Sequence, residues 1–373
     1  MSANGHDIAV IGGGLVGASI AYGLTRNGSR VVLLDEGDIA LRASRGNFGL
    51  VWVQGKGRGR PEYAQWSLRS ATLWSAFAAE LAEVSGLDVQ HENRGGVLLT
   101  LSEAEDRQIR ALLAEIESSA GNMRYEYEFL PRARLEKLLP GLGPGVVSGS
   151  YSPHDGHANP LILLRALHRA FVRNGGQYRP NNTVDAIRGD ADGYRIDAGG
   201  ETFECGRIVI AAGLGSGRLA ALVGLDAPTV PVRGQLMVTE RIAPLFEVPS
   251  NLVRQTGEGG LQLGYTAENV GYDTGVRSDM LRDVAWRCRT AFPFLDRLRV
   301  LRTWSALRIM TPDGFPVYDE SPTHPGVYVA ACHSGVTLAA VHAFVIPDWV
   351  RGRPLAPELE CFRTERFNVQ EAA

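Results

Sequence analysis

One stretch near the N-terminus, DIAVIGGGLVGASIAYGLTRNGSRVVLLDEGD, limits the fold more than any other. Residues 8–11 are an apolar run of strand length, and Gly12, Gly14 and Gly17 follow in G-x-G-x-x-G spacing. Residues 18–26 continue as a helix with small residues on one side. Asn27-Gly28 stops that helix, and residues 31–34 read as a second buried strand ending at Asp35. Gly12 permits a tight turn, Gly14 lets backbone N–H groups approach a pyrophosphate at the helix N-terminus, and Gly17 lets helix and strand pack closely. Asp35 then stands where an acid accepts hydrogen bonds from a ribose. Glycine spacing alone is weak evidence. Here strand, helix, second strand and terminal acid fall in register, which predicts dinucleotide binding without saying which dinucleotide.

The bulk properties remove several classes. The 373 residues are 45% hydrophobic and 21% charged, a globular balance with enough chain for one large or two moderate domains. A formal charge of -3 gives no electrostatic case for nucleic acid. Cys205, Cys288, Cys332 and Cys361 form no C-x-x-C pair, so no zinc or iron–sulfur site is expected from this chain, and none is assigned to any other metal. Scattered cysteines, no signal-peptide pattern and no apolar run of membrane-spanning length give a cytoplasmic expectation.

Three further segments bear on the dinucleotide. Small and polar residues follow Asp35 directly and lead into GKGRGR, where Lys56, Arg58 and Arg60 are either a solvated basic loop or part of a site. Residues 201–212 read as a strand pair ending in IVIAAG at Gly213. Residues 327–331 read as a strand that runs through His333-Ser-Gly335 into an apolar helix, a second N-terminus able to receive an electronegative atom.

With these motifs the chain resembles the FAD-dependent D-amino acid oxidase superfamily, which includes glycine oxidase, sarcosine oxidase and D-amino acid dehydrogenase. The resemblance runs from Asp7 to about Val350 and rests on GGGLVGASIAYGL with Asp35, the S-x-x-N-x-G segment from Ser44 to Gly49, IVIAAG, and LRIMTPDGFPVYD with CHSGVTLA. GNFGLVWVQGKG is most similar to the FAD-containing B subunits of opine oxidases, with related subunits in hydrogen cyanide synthase and D-hydroxyproline dehydrogenase. The implied fold is α/β (α+β overall): a Rossmann-like FAD-binding domain with an inserted antiparallel or mixed-sheet substrate domain. The expected division is 1–62, 146–231 and 310–373 for FAD, and 63–145 and 232–309 for substrate. The resemblance places FAD against Gly12, Gly14, Leu15, Val16, Asp35 and Glu36. It adds Ser44, Asn47, Phe48 and Gly49, then Val184 beside the adenine, then Ala212 and Gly213. It closes the set with His333, Gly335, Val336 and Thr337. His333 is read as capping backbone beside the flavin rather than as an acid–base group. Ala306 lies near the position where covalently flavinylated relatives carry a cysteine, which implies noncovalent FAD.

Inside WSALRIMTPDGFPVYD, Arg308 is a permanent cation among Leu307, Ile309 and Met310. A planar guanidinium suits an amino acid carboxylate, and the resemblance puts Arg308 on that carboxylate. Arg302 is its rival at even strand spacing. Tyr265 and Tyr272 are candidates over the substrate, although core packing is the expected role, as it is for Trp66 and Trp74. The implied reaction is hydride transfer from the α-carbon of an amino or imino acid to flavin, with the imine hydrolysed. The implied setting is a complex with a second flavoprotein and an iron–sulfur protein, the surface near Trp52 being a candidate dock. A self-sufficient oxygen-using oxidase, a silent flavin scaffold and, more distantly, an NAD reductase are the alternatives.

Overall fold

The glycine-turn unit forms where the sequence puts it. β1 (His6–Ile11) and β2 (Val31–Leu34) pair in parallel, and α1 (Leu15–Arg26) joins them. The helix begins directly after Gly14, earlier than residues 18–26, because Gly14 is already its extended N-cap. The structure, a computed structural model, describes residues 5–37, 43–121, 123–190 and 193–368.

β1 is central in a sheet ordered β16 (Val317–Glu320), β17 (Val327–Ala331), β11 (Glu201–Ile210), β1, β2, β8 (Gln177–Arg179). All neighbours are parallel except the β16–β17 edge pair. Residues 201–212 are one long strand rather than a pair. Its first half takes β10 (Gly193–Ala198) as antiparallel partner, and β10 in turn pairs β9 (Val184–Asp190). Both faces of the sheet are covered, which is why its strands read as continuous apolar runs. Ile8 and Val10 face a core that includes Ile20, Leu24 and Trp66 from α1 and α2 (Pro61–Ser85). Ala9 and Ile11 face the β9–β10 hairpin and α6 (Ser216–Ala221). α5 (Pro160–Arg173), α8 (Ala339–Phe344) and α9 (Ile346–Val350) pack against α1 on the first face. α5 starts at Pro160 because Asn159 caps it, accepting from the N–H groups of Leu161 and Ile162. The preceding β7 (Gly156–His157) pairs β3 (Leu50–Val51).

A second sheet is fully antiparallel, in the order β13 (Val253–Gln255), β14 (Gly260–Gly264), β12 (Val230–Arg241), β15 (Val300–Met310). Period-two alternation separates its faces. Met237, Val253, Leu261 and Leu263 turn to a core shared with Val284 and Cys288 of α7 (Ser278–Ala291). The opposite face carries Val232, Gly234, Leu236, Trp304, Ala306 and Arg308 in register. A small sheet of β4 (Gly96–Thr100), β6 (Ser148–Ser152) and β5 (Glu128–Phe129), with α3 (Glu103–Ser119) and α4 (Arg132–Leu138), completes this half. Among the described residues no helix is long and apolar enough to cross a membrane.

Candidate active site

The C-terminal ends of β2, β1, β11 and β17 open on one edge of the parallel sheet, the edge where such sheets bind ligands. Gly12 follows β1 at φ 107°, and a Cβ there would lie 2.4 Å from the Ala211 carbonyl oxygen. A Cβ on Gly17 would lie 1.9 Å from the Gly12 carbonyl oxygen, so only glycine lets α1 approach this turn. Asp35 is buried and braces the turn by accepting from the N–H groups of Gly13 at 2.6 Å and Gly37 at 3.0 Å. Glu36 beside it is exposed. The Ser44 hydroxyl accepts from the Leu15 N–H at 2.9 Å, which seats the 44–49 segment on the α1 N-terminus. Leu15 is buried and Val16 half-buried. Turn, helix start and acid leave a side-chain-free cradle that fits a dinucleotide pyrophosphate.

The rest of the edge continues away from Asp35. Ala212 and Gly213 follow β11, and a Cβ on Gly213 would lie 3.4 Å from the Ile309 side chain of β15, so the ends of the two sheets meet here. Val184 is buried at the start of β9, where its carbonyl accepts from Arg218 at 2.9 Å. Gly335 abuts Leu15 and Val16. Val336 and Thr337 are held by α2: the Trp74 indole N–H donates to both their carbonyls at 3.1 Å, and the Ser70 hydroxyl donates to that of Thr337 at 2.7 Å. Trp74 therefore fills the core, as expected, and also fixes this turn.

The 44–49 segment lies on the free face of the antiparallel sheet. A Cβ on Gly46 would meet that of Ala306 at 2.2 Å, and the Trp304 indole N–H donates to the Gly46 carbonyl at 3.3 Å. Asn47 accepts from the Gly49 N–H at 2.7 Å, and the Phe48 ring stands edge-on to Tyr265 with centroids 6.4 Å apart. Arg308 sits on this face, its guanidinium 4.8 Å from the Tyr265 ring centroid. Gly234 across the strand leaves room for it, since a Cβ there would lie 2.5 Å from an Arg308 nitrogen. The hydrogen bond from Arg308 to the Arg233 carbonyl is long, 3.4 Å, and burial holds its pKa below the ordinary value. Among the described residues no carboxylate lies within salt-bridge distance of it.

The structure thus links the two glycine turns, the 44–49 segment, residues 333–337 and Arg308 by contacts at the C-terminal edge of the parallel sheet and the free face of the antiparallel one. Val184 and Glu36 lie toward the Asp35 side. Arg302 shares the face of Arg308 but is exposed near the strand's start. Tyr265 and Tyr272 are not core residues: they are 52% and 69% exposed, and Tyr265 covers Arg308. The helix after residues 333–337 is the six-residue α8, too short to supply the N-terminal dipole site expected there.

Two cations of the site were not separable from their neighbours by sequence. Lys56 is drawn out of the GKGRGR loop and donates to the Ser334 hydroxyl at 2.5 Å, whereas Arg58 is exposed and paired with Glu115 at 2.9 Å. Arg254 is fully buried against Gly49 and bound to Gln262 and His157 rather than to a carboxylate; burial brings its pKa down to about 10. No short-range pattern marks either residue.

A parallel sheet bearing a pyrophosphate cradle, closed over by an antiparallel sheet that offers an arginine, defines an FAD-dependent oxidoreductase. The chain belongs to the DAO family of FAD dependent oxidoreductases, which matches residues 7–349. It is 41% identical over 366 residues to the opine oxidase B subunit of Rhizobium meliloti, covering 98% of this chain and 99% of that one. It has the same identity and coverage with the opine oxidase B subunit of Agrobacterium tumefaciens (strain Ach5). The crystal structure of glycine oxidase from Geobacillus kaustophilus superposes with a TM-score of 0.88 at 26% identity, covering 96% of this chain and 98% of that one.

Proposed function

We propose that the chain oxidises the Cα–N bond of an amino or imino acid, an opine such as octopine or nopaline or a related secondary D-amino acid, as the FAD-carrying member of a larger dehydrogenase. One observation carries this reading: among the described residues Arg308 is a desolvated cation on the free face of the antiparallel sheet with no carboxylate at salt-bridge distance. Leaving such a group unpaired is costly, and an α-carboxylate matches its two parallel N–H donors. Arg308 then fixes the substrate by its carboxylate and presents the α-carbon to the cleft, while Phe48 and Tyr265 form an apolar wall beside it. FAD, when bound, supplies the acceptor for the α-hydride, and the imine left behind is hydrolysed by water. No proton need move if the amine binds neutral. His333 fits that chemistry, because burial, Lys56 and Arg308 bring its pKa down to about 3 and keep the imidazole uncharged.

Noncovalent attachment rests on Ala306, whose methyl faces Gly46 and offers no nucleophile. We read residues 1–62, 146–231 and 310–373 as the FAD-binding unit and the remainder as the substrate unit. The likeness to opine oxidase B subunits supports a multi-subunit setting, with a second flavoprotein and an iron–sulfur protein as the proposed electron exit. A second reading, a self-sufficient oxidase of glycine, sarcosine or a D-amino acid, draws on the likeness to glycine oxidase. The deciding experiment adds octopine, nopaline, glycine, sarcosine and D-proline in turn to the isolated, FAD-loaded chain, with and without oxygen. Flavin bleaching by an opine with little peroxide supports the first reading. Bleaching by glycine or sarcosine, with peroxide formed at the same rate, supports the second.

A further inference from the structure

Among the described residues the Lys56 ammonium touches three hydroxyls and no carboxylate. It lies 2.5 Å from Ser334 Oγ, 3.5 Å from Tyr63 Oη and 3.5 Å from Thr337 Oγ1, and 5.4 Å from the centroid of the Tyr63 ring. The Ser334 contact is short and the other two are long, so Ser334 is its main partner. Asp155 is the nearest acid named among the charges felt by Lys56, but no hydrogen bond joins the two. The Asp155 carboxylate is already taken by the Val53 N–H at 2.5 Å and the Gln54 amide at 2.8 Å. Lys56 therefore directs its short hydrogen bond at the 333–337 turn, and among the described residues its charge has no salt-bridge partner. Burial brings its pKa down only to about 8, so it stays mostly charged at neutral pH.

The charge is tied to the 333–337 turn. Ser334 Oγ also lies 2.7 Å from the Tyr63 hydroxyl and 3.4 Å from His333 Nδ1, and the turn rests on Leu15 and Val16 beside the pyrophosphate cradle. A dinucleotide held at the end of β2 and at the cradle would run along the C-terminal edge of the sheet toward β11 and β17, where this turn stands. When a hydride leaves a neutral amine, the substrate becomes an iminium cation and the ring that accepts one proton and two electrons gains one negative charge. Arg308 is occupied by the carboxylate, and six-residue α8 has little dipole to offer. We propose that Lys56 is a positioning residue for this reaction: a fixed cation, locked to Ser334, Tyr63 and Thr337, that stabilises the negative charge arriving on the flavin rather than binding substrate.

This rests on the flavin-site reading above, so the test uses a readout independent of substrate. Sulfite adds to oxidised flavin and leaves it anionic, so its affinity reports positive charge beside the ring. In FAD-loaded protein, Lys56→Met is expected to weaken sulfite binding at least tenfold and to make the flavin potential more negative, with Lys56→Arg restoring most of both. With substrate, kcat should fall while KM stays near the wild-type value. Wild-type sulfite affinity and potential in FAD-retaining Lys56→Met would overturn the proposal, as would a raised KM with unchanged sulfite binding. Loss of FAD from both Lys56→Met and Lys56→Gln would assign Lys56 to holding the turn together and overturn it equally. A wild-type chain that fails to retain FAD would instead refute the site reading itself.

Discussion

At the scale of residues, charge and burial sort the arginines into tasks. Arg233 is wholly buried but answered by Glu268 at 2.7 Å and Asp273 at 2.5 Å, so it ties the 265–277 loop to β12. Arg308, one residue along on the partner strand and on the other face, meets the Tyr265 ring and makes one long hydrogen bond, and no salt bridge among the described residues. Removing a charge-assisted pair of hydrogen bonds from a bound carboxylate costs about 3 kcal/mol, roughly a hundredfold in KM. Arg308→Leu is therefore expected to raise KM by about that factor while FAD stays bound, as steady-state kinetics and the flavin spectrum would show. Ala306 carries a second expectation: acid precipitation should release the yellow colour into the supernatant, whereas colour in the pellet would mean a covalent link. Arg308 stood out in sequence as a cation in an apolar strand before Thr-Pro-Asp-Gly, and only the resemblance gave it a carboxylate to bind. Lys56 did not stand out, because Lys56, Arg58 and Arg60 look alike in GKGRGR, and the partner that separates Lys56 is Ser334, 278 residues along the chain.

At the scale of elements, the cleft depends on contacts that leave no room for substitution. Gly17→Ala would drive its Cβ into the Gly12 carbonyl at 1.9 Å. Relieving that overlap by moving α1 off the sheet is expected to cost about 3 kcal/mol and to abolish FAD retention, readable by a urea melt and by gel filtration. Trp74→Phe keeps the ring but removes the donor shared by the Val336 and Thr337 carbonyls. A loss of about 1–2 kcal/mol and faster FAD release are expected, while Trp74→Phe with wild-type release would show that packing alone fixes the turn. The strands of the first unit, and β12 and β15, were legible because apolar runs and period-two alternation are local signals. The join of β11 to β10, the start of α5 and the shortness of α8 were not. Each is decided by a partner far along the chain or by a cap such as Asn159.

At the scale of the whole molecule, buried histidines set the response to acid. Burial brings the pKa of His91 down to about 4, and those of His157, His333 and His342 to about 3, from an ordinary 6.5. Below pH 6.5 the unfolded chain binds protons at these sites that the native chain does not, so their contribution to stability falls as pH drops. Asp155 opposes them: burial raises its carboxyl from 3.8 to about 7, so the native state holds that proton between those values. Four groups against one leave a net excess of about three protons on the unfolded chain near pH 5. Stability should then fall on the order of 4 kcal/mol per pH unit on acidification, as urea melts at stepped pH would report. Asp155→Asn should steepen that fall.

The account turns on Arg308 as the clamp for a substrate that reduces FAD. The most direct measurement is anaerobic titration of FAD-loaded wild-type and Arg308→Leu chains with octopine and nopaline, supplied with partner proteins of the complex where the isolated chain is silent, following loss of the oxidised flavin band. The account predicts bleaching of the wild type, and a variant that holds FAD but needs roughly a hundredfold more opine. Equal half-saturation in both chains, or an assembled wild-type complex that stays oxidised with every opine, would contradict it.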